Sequence, residues 1–151
     1  MKSTLVKYEI TPQAPVWAHK VDRWHQLDEV SFAFCEALSR WNDLKEEPKP
    51  DLILLALEGA SNVADSDFVR SGARSPAKFV YTLPNICMAV IFQFLNLKSR
   101  VFCLSRGKDT PAFAREEARF FAQAGKTVWV FSSSPLLEQG SRRVNFECFR
   151  P

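Results

Sequence analysis

The chain has 151 residues, of which 46% are hydrophobic, and this is enough apolar material for the core of one domain over residues 1–151. Its net charge of +3 is mild and its acidic and basic residues are interspersed, so no nucleic-acid partner is indicated. The first ten residues lack the apolar run of a signal peptide, and no segment reaches about 18 uninterrupted apolar residues. We therefore expect a cytoplasmic protein with no membrane partner.

One strand and one helix are predicted in the first part of the chain. Residues 4–10 alternate as a short strand does, and the prolines of residues 11–15 end it. Residues 16–29 show no clear period and are interpreted as a loop with a helical turn. Apolar residues spaced by three and four over residues 28–44 predict a helix capped by Asp28.

The helix stops at the charged, proline-bearing segment 45–50. Residues 51–59 form a continuous apolar run, which is typical of a strand covered on both faces of a largely parallel sheet. Residues 59–74 are interpreted as a long polar loop. A helix is predicted from Pro84 to Leu97 and is apolar on nearly every side, so it needs neighbours from this chain or another.

The last third continues the alternation of strands and helices. A strand over residues 100–105 and a turn over 106–109 precede a helix with Thr110 as its N-cap, Pro111 in its first turn and Gly125 at its end. Residues 126–132 predict another strand, and the last ten residues predict an edge strand. This order is typical of an α/β domain with right-handed crossovers.

Four cysteines lie far apart with no CxxC spacing, which predicts reduced, buried thiols and neither a zinc site nor a disulfide framework: Cys35, Cys87, Cys103 and Cys148. The nucleotide-binding, zinc-protease and serine-hydrolase motifs are absent from the sequence. Asp65 and Asp67 lie close together, but two loop carboxylates without further ligands are usually solvated. We expect no metal and no cofactor.

One stretch resembles a known family. Ser75-Pro76 is followed by Phe79, then by Leu83-Pro84-Asn85 and a long apolar helix. This order resembles the N-terminal half of β-ketoacyl synthases and their chain-length-factor relatives, with the likeness covering roughly residues 50–135. It implies a layered α/β thiolase-like half-domain with a mixed, mainly parallel sheet, in which this loop lies near the dimer interface and the acyl pocket.

The resemblance also implies where catalytic residues would lie. Condensing enzymes of this family carry a nucleophilic Cys at the N-terminus of a buried helix, where the helix lowers the thiol pKa. The corresponding position is near Lys108, and no Cys is there. The family's active-site histidines come from a C-terminal half that would begin beyond this chain, and His19 and His25 are expected in surface loops. We therefore expect no catalytic residue.

Chain-length factors lack this Cys, pair with an active ketosynthase and shape the tunnel in which its acyl chain grows. The resemblance thus implies a non-catalytic subunit that pairs with a full-length ketosynthase in type II fatty acid, polyketide or polyene biosynthesis. The residues expected at the acyl pocket and interface are Phe79, Tyr81, Leu83, Asn85, Met88 and Phe92. A local basic excess predicts a docking patch for an acidic acyl carrier protein at Arg70, Arg74 and Lys78.

Two alternatives remain open at this point. The chain could act by itself on an acyl thioester, using Cys103 or Cys87 as nucleophile. It could also be a homodimeric scaffold that binds a carrier protein without forming an acyl tunnel.

Overall fold

A computed structural model describes residues 1–9, 13–58, 62–72, 83–135, 137 and 140–151. Five strands and four helices occur within these residues. In chain order they are β1 (Lys2–Lys7), α1 (Glu29–Arg40), β2 (Leu52–Leu57), α2 (Asn62–Arg70), α3 (Pro84–Leu95), β3 (Arg100–Leu104), α4 (Thr110–Gln123), β4 (Val128–Ser133) and β5 (Ser141–Phe149). Short 3₁₀ turns lie at Ala18–Lys20, Trp24–Gln26 and Asn42–Glu46.

The strands form one mixed sheet in the order β1-β5-β4-β2-β3. β2 pairs in parallel with both β3 and β4, whereas β5 pairs antiparallel with β4 and with β1. Four strands therefore run in one direction and only β5 opposes them, which confirms the predicted mixed, mainly parallel sheet. The prediction of an edge strand at the C-terminus is wrong, because β1 covers the outer side of β5 over Lys2–Lys7.

The central strand β2 is buried along its whole length, as its continuous apolar sequence predicts. Side chains alternate between the two faces of a strand, so each face of β2 contributes to a different core. Ile53, Leu55 and Leu57 belong to the larger core, on the face that carries α1 and α3. Leu52, Leu54 and Ala56 belong to the smaller core beneath α4, where Ala114 and Ala118 allow a close approach.

Helix α1 begins as predicted at the Asp28 N-cap, whose Oδ1 accepts a hydrogen bond of 3.2 Å from the Ser31 N–H. It ends at Arg40, four residues before the predicted end, because Trp41 leaves helical geometry with φ −96° and ψ 74°. The Trp41 indole Nε1 donates a hydrogen bond of 2.8 Å to the Thr4 hydroxyl, which anchors the end of α1 to β1.

Two further predictions are corrected. Residues 62–70 form helix α2, where a polar loop was expected. Its Asn, Ser and Asp residues have weak helix propensity, and tertiary contacts override such preferences. At the start of α4 the Thr110 hydroxyl does not cap the helix from outside, since Thr110 is its first residue. That hydroxyl instead donates to the Gly107 carbonyl at 2.7 Å and accepts from the Arg106 N–H at 2.6 Å.

One ion pair lies inside the protein. The Arg142 Nη2 atom at the start of β5 lies 3.1 Å from the Glu29 Oε1 atom at the start of α1, and the two side chains are only 2% and 1% exposed. The Arg142 Nη1 atom also donates a hydrogen bond of 2.8 Å to the Ser134 carbonyl, at the end of β4. The pair therefore joins one helix and two strands.

We expect Glu29→Ala to lower the free energy of unfolding by about 3–5 kcal/mol, because it leaves the Arg142 charge buried without its partner. Equilibrium urea unfolding followed by circular dichroism measures this change. The matched control is Glu9→Ala, which removes an exposed ion pair with Lys7 and should cost less than about 1 kcal/mol. Equal effects of the two substitutions would contradict a structural role for the buried pair.

Candidate functional site

The carboxyl ends of three parallel strands meet at one edge of the sheet, which is where ligands commonly bind in α/β folds. α2 follows β2 at this edge, and the turn at residues 105–109 follows β3. α3 returns between the parallel strands β2 and β3, so it runs opposite to them and begins at the same edge. Leu83, the residue before α3, therefore lies at the carboxyl edge.

The predicted pocket residues occupy different environments. The Leu83 side chain is 37% exposed, whereas Met88 is 1% exposed and lies in the larger core. Phe92 is partly buried and packs against that core. Asn85 is in the first turn of α3, but its side chain lies outside the described residues, as do Phe79 and Tyr81.

The predicted docking patch is described at one residue only. Arg70 is the last residue of α2, and its side chain is exposed. Arg74 and Lys78 lie outside the described residues.

Helix α3 obtains most of its cover from this chain itself. It packs against α1 and β3, and its buried residues are Cys87, Met88, Val90, Ile91 and Phe94. The Phe94 ring lies 6.3 Å from the Trp17 ring. The Lys20 Nζ atom lies 4.5 Å from the centre of the Phe94 ring. Among the helix residues whose side chains are described, Ala89 and Gln93 are exposed and lie one turn apart on the same side. The helix begins at Pro84 as predicted and ends at Leu95, where Asn96 adopts a left-handed conformation.

The start of α4 presents no thiol. Residues 106–109 form an exposed turn that contains Lys108, where the resemblance would place the nucleophile. The Arg106 guanidinium stacks 4.4 Å from the centre of the Phe113 ring, which lies one turn into the helix. This helix start therefore carries cations and a hydroxyl.

The cysteines differ widely in accessibility. Cys35 and Cys87 are buried in the larger core, and burial, reinforced by the charge of Asp28, raises the pKa of both thiols. Cys103 is exposed, which corrects the prediction that all four are buried, and Cys148 is half-buried. Partial burial raises the pKa of Cys103 and of Cys148 as well. None of these environments favours a thiolate at neutral pH.

Cys103 is exposed because β3 is an edge strand, with β2 on one side and no strand pairing with its other side in the described part of the chain. On the opposite face of the same strand, Phe102 is 53% exposed. The alternation within β3 does not reveal whether a strand lies at an edge, so sequence reasoning missed this surface.

Among the described residues of α2, Asp65 is the titratable group whose environment is perturbed. Burial, followed by the charge of Glu29, raises the pKa of Asp65. The described residues contain no group of three or more His, Cys, Asp or Glu side chains placed to hold a metal ion. Within the same residues, no helix combines the length and apolar character needed to cross a membrane.

We expect the four thiols to react with N-ethylmaleimide in an order set by exposure. Cys103 should react first and Cys148 more slowly, whereas Cys35 and Cys87 should react only after unfolding. Because the pKa of Cys103 is raised, its rate should climb as the pH rises above neutrality. Intact-mass spectrometry measures these rates, and Cys103→Ser is the control that should abolish the fast phase. Rapid modification of Cys87 in the folded protein would contradict this order.

Comparisons with known proteins give a structural likeness to solved chains and no significant sequence match. No family model matches the chain, and no curated protein matches it significantly. Among solved structures, it is similar to a chain of a ketosynthase in complex with its chain length factor from Xenorhabdus doucetiae, with a TM-score of 0.68 and 14% sequence identity. The likeness covers 95% of this chain but only 64% of that one. The chain therefore has a thiolase-like fold and spans about two thirds of the length of this structural neighbour.

Proposed function

We propose that this protein is a non-catalytic subunit, similar to a chain-length factor, that pairs with a full-length ketosynthase and shapes its acyl tunnel. The pathway would be type II fatty acid, polyketide or polyene biosynthesis. The observation that carries the proposal is the start of α4. The fold resembles that of a ketosynthase complex, yet the exposed turn before this helix has Lys108 and Asp109 in place of a nucleophile.

The positions of the other thiols support the same proposal. Cys87 is fully enclosed between α1 and α3, so an acyl thioester has no route to it without opening the core. Cys103 is accessible, but it lies within β3 and lacks the N-terminal helix dipole that lowers a thiol pKa. Neither position favours covalent catalysis by this chain alone.

The open edge of β3 is the surface that we assign to the ketosynthase. An unpaired edge strand offers backbone N–H and C=O groups to another chain. Phe102 on one face and Cys103 on the other supply exposed contact area beside that edge. The opposite edge strand, β1, carries Leu5 at the same exposure as Phe102, 53%, and serves as a matched control surface.

We assign the acyl tunnel contact to the segment that leads into α3. Among the members whose side chains are described, Leu83 is the most exposed, at 37%. The proposed contact also includes Phe79, Tyr81 and Asn85. Met88 and Phe92 contribute to the proposed contact indirectly, because they pack in or against the core that holds α3 in place. The proposed docking of an acyl carrier protein uses Arg70 at the end of α2 together with Arg74 and Lys78.

Co-expression with a full-length ketosynthase should yield a 1:1 heterodimer, measured by size exclusion with light scattering. Cys103→Lys should abolish the heterodimer, because a charge on an edge strand blocks strand addition. Cys103→Ser and Leu5→Lys should leave it intact, since they preserve the β3 edge. A stable homodimer that does not bind the ketosynthase would overturn the proposal and favour the homodimeric scaffold that binds a carrier protein.

In the reconstituted heterodimer, Leu83→Trp should shorten the acyl products, because a bulkier side chain at the tunnel contact limits chain extension. Mass spectrometry of the released chains measures the length distribution. Leu137→Trp is the control, because Leu137 is similarly exposed at 41% but lies in the connection between β4 and β5. An unchanged distribution of acyl product lengths in the Leu83→Trp variant would contradict the assignment of Leu83 to the tunnel.

A further inference from the structure

A cavity of about 410 Å³ lies at the amino end of the parallel strands, at the opposite edge of the sheet from the candidate site. It opens between the beginnings of β2 and β3 and the C-terminal end of α4. Its lining residues are Asp51, Leu52, Arg100, Phe102, Phe121 and Lys126. Its volume falls within the range of pockets that hold small ligands.

The apolar part of the cavity is formed by side chains from three elements. Leu52 of β2 is buried, Phe121 of α4 is partly buried against the smaller core, and Phe102 of β3 is 53% exposed. Pairing of Leu52 with Arg100 and of Leu54 with Phe102 places both β3 side chains on the face that carries α4. The exposed Phe102 ring beside this cavity provides solvent-exposed apolar surface that an apolar ligand can bury.

Two cations stand at the same cavity. Arg100 and Lys126 are exposed, and neither forms a side-chain hydrogen bond or ion pair within the described parts of the chain. The third charge is Asp51, whose carboxylate accepts a hydrogen bond of 2.9 Å from the Thr127 N–H. The backbone of Asp51 also donates to the Thr127 carbonyl at 2.9 Å. The Asp51 carboxylate is thus hydrogen-bonded to the backbone of Thr127, and the charged side chains that line the cavity have a net positive charge.

The C-terminal end of α4 does not cancel this net positive charge. The C-terminus of a helix carries partial negative charge on its unpaired carbonyl groups. Here the Phe121 carbonyl accepts from the N–H groups of Ala124 and Lys126, and the Ala122 carbonyl accepts from Gly125. Gly125 makes this closure possible with φ +79°, a conformation that favours glycine.

We propose that this cavity binds a small amphipathic anion. Its carboxylate or phosphate head pairs with Arg100 and Lys126, and its apolar chain lies against Leu52, Phe102 and Phe121. Charge-assisted hydrogen bonds supply selectivity for the head, and burial of the chain supplies most of the affinity. The site does not depend on the proposed pairing with a ketosynthase, because the two cations and the three apolar side chains all belong to this chain.

The test uses the full chain alone, without a ketosynthase, so its outcome is separate from that of the pairing experiment. Decanoate and decyl phosphate are titrated below their micellar concentrations and followed by calorimetry, with decyltrimethylammonium as the probe of opposite charge. We expect saturable 1:1 binding of at least one anion and none of the cation. Binding of decanoate alone would identify a carboxylate site, and binding of decyl phosphate alone a phosphate site.

The double variant Arg100→Gln/Lys126→Gln should weaken binding of the anion about tenfold or more, because it removes both charged donors. Phe102→Ala should weaken binding severalfold without altering the core. The controls are Lys98→Gln, at an exposed residue outside the lining, and Leu5→Ala, at a residue of the opposite edge strand that is as exposed as Phe102. Both variants should bind as the unmodified chain does. Thermal unfolding of each variant verifies its fold. Equal binding of the cation, unchanged affinity in the double variant or no binding of either anion would overturn the proposal.

Discussion

The burial of β2 between two parallel neighbours is the constraint on which the rest of the structure depends. Parallel strands cannot be joined by a tight turn, so each connection must leave the sheet and return across one of its faces. Because all six residues of β2 are buried, both faces need cover. α1 and α3 supply it on one face and α4 on the other. The two cores are therefore consequences of one apolar strand and its pairing.

The carboxyl and amino edges of the parallel strands differ in the groups that they present. At the carboxyl edge, the buried pair of Glu29 and Arg142 joins α1 to β5, and the polar turn before α4 lies in the same region. At the amino edge, a recess remains beside α4 where β3 is not covered. The proposed partner contact and the proposed anion site both follow from β3 being an edge strand, and they share the Phe102 side chain. Strand addition also uses the backbone of β3, whereas the anion site also uses Arg100 on the same face as Phe102.

Much of the fold could be predicted from local patterns. The continuous apolar run of β2, the Asp28 cap and the Pro84 start of α3 all identify their elements, because each reflects short-range backbone or burial chemistry. α2 was missed, since its polar residues resemble those of a loop. At the candidate site, the absence of a cysteine from residues 106–110 was visible in the sequence. The burial of Met88 and the exposure of Leu83 were not, because both depend on how α3 packs.

The sequence by itself determined the α/β class, the parallel central strand and the absence of a cysteine from the turn before α4. Composition and local periodicity are properties of neighbouring residues, so they can be assessed without coordinates. Only the tertiary structure decided that β5 is interior, that Cys103 is accessible and Cys87 is not, and that Arg100 and Lys126 share a cavity. Strand order decides the position of β5 and the exposure of Cys103, whereas the packing of α3 against α1 decides the burial of Cys87. Both are set by contacts between residues far apart in the chain.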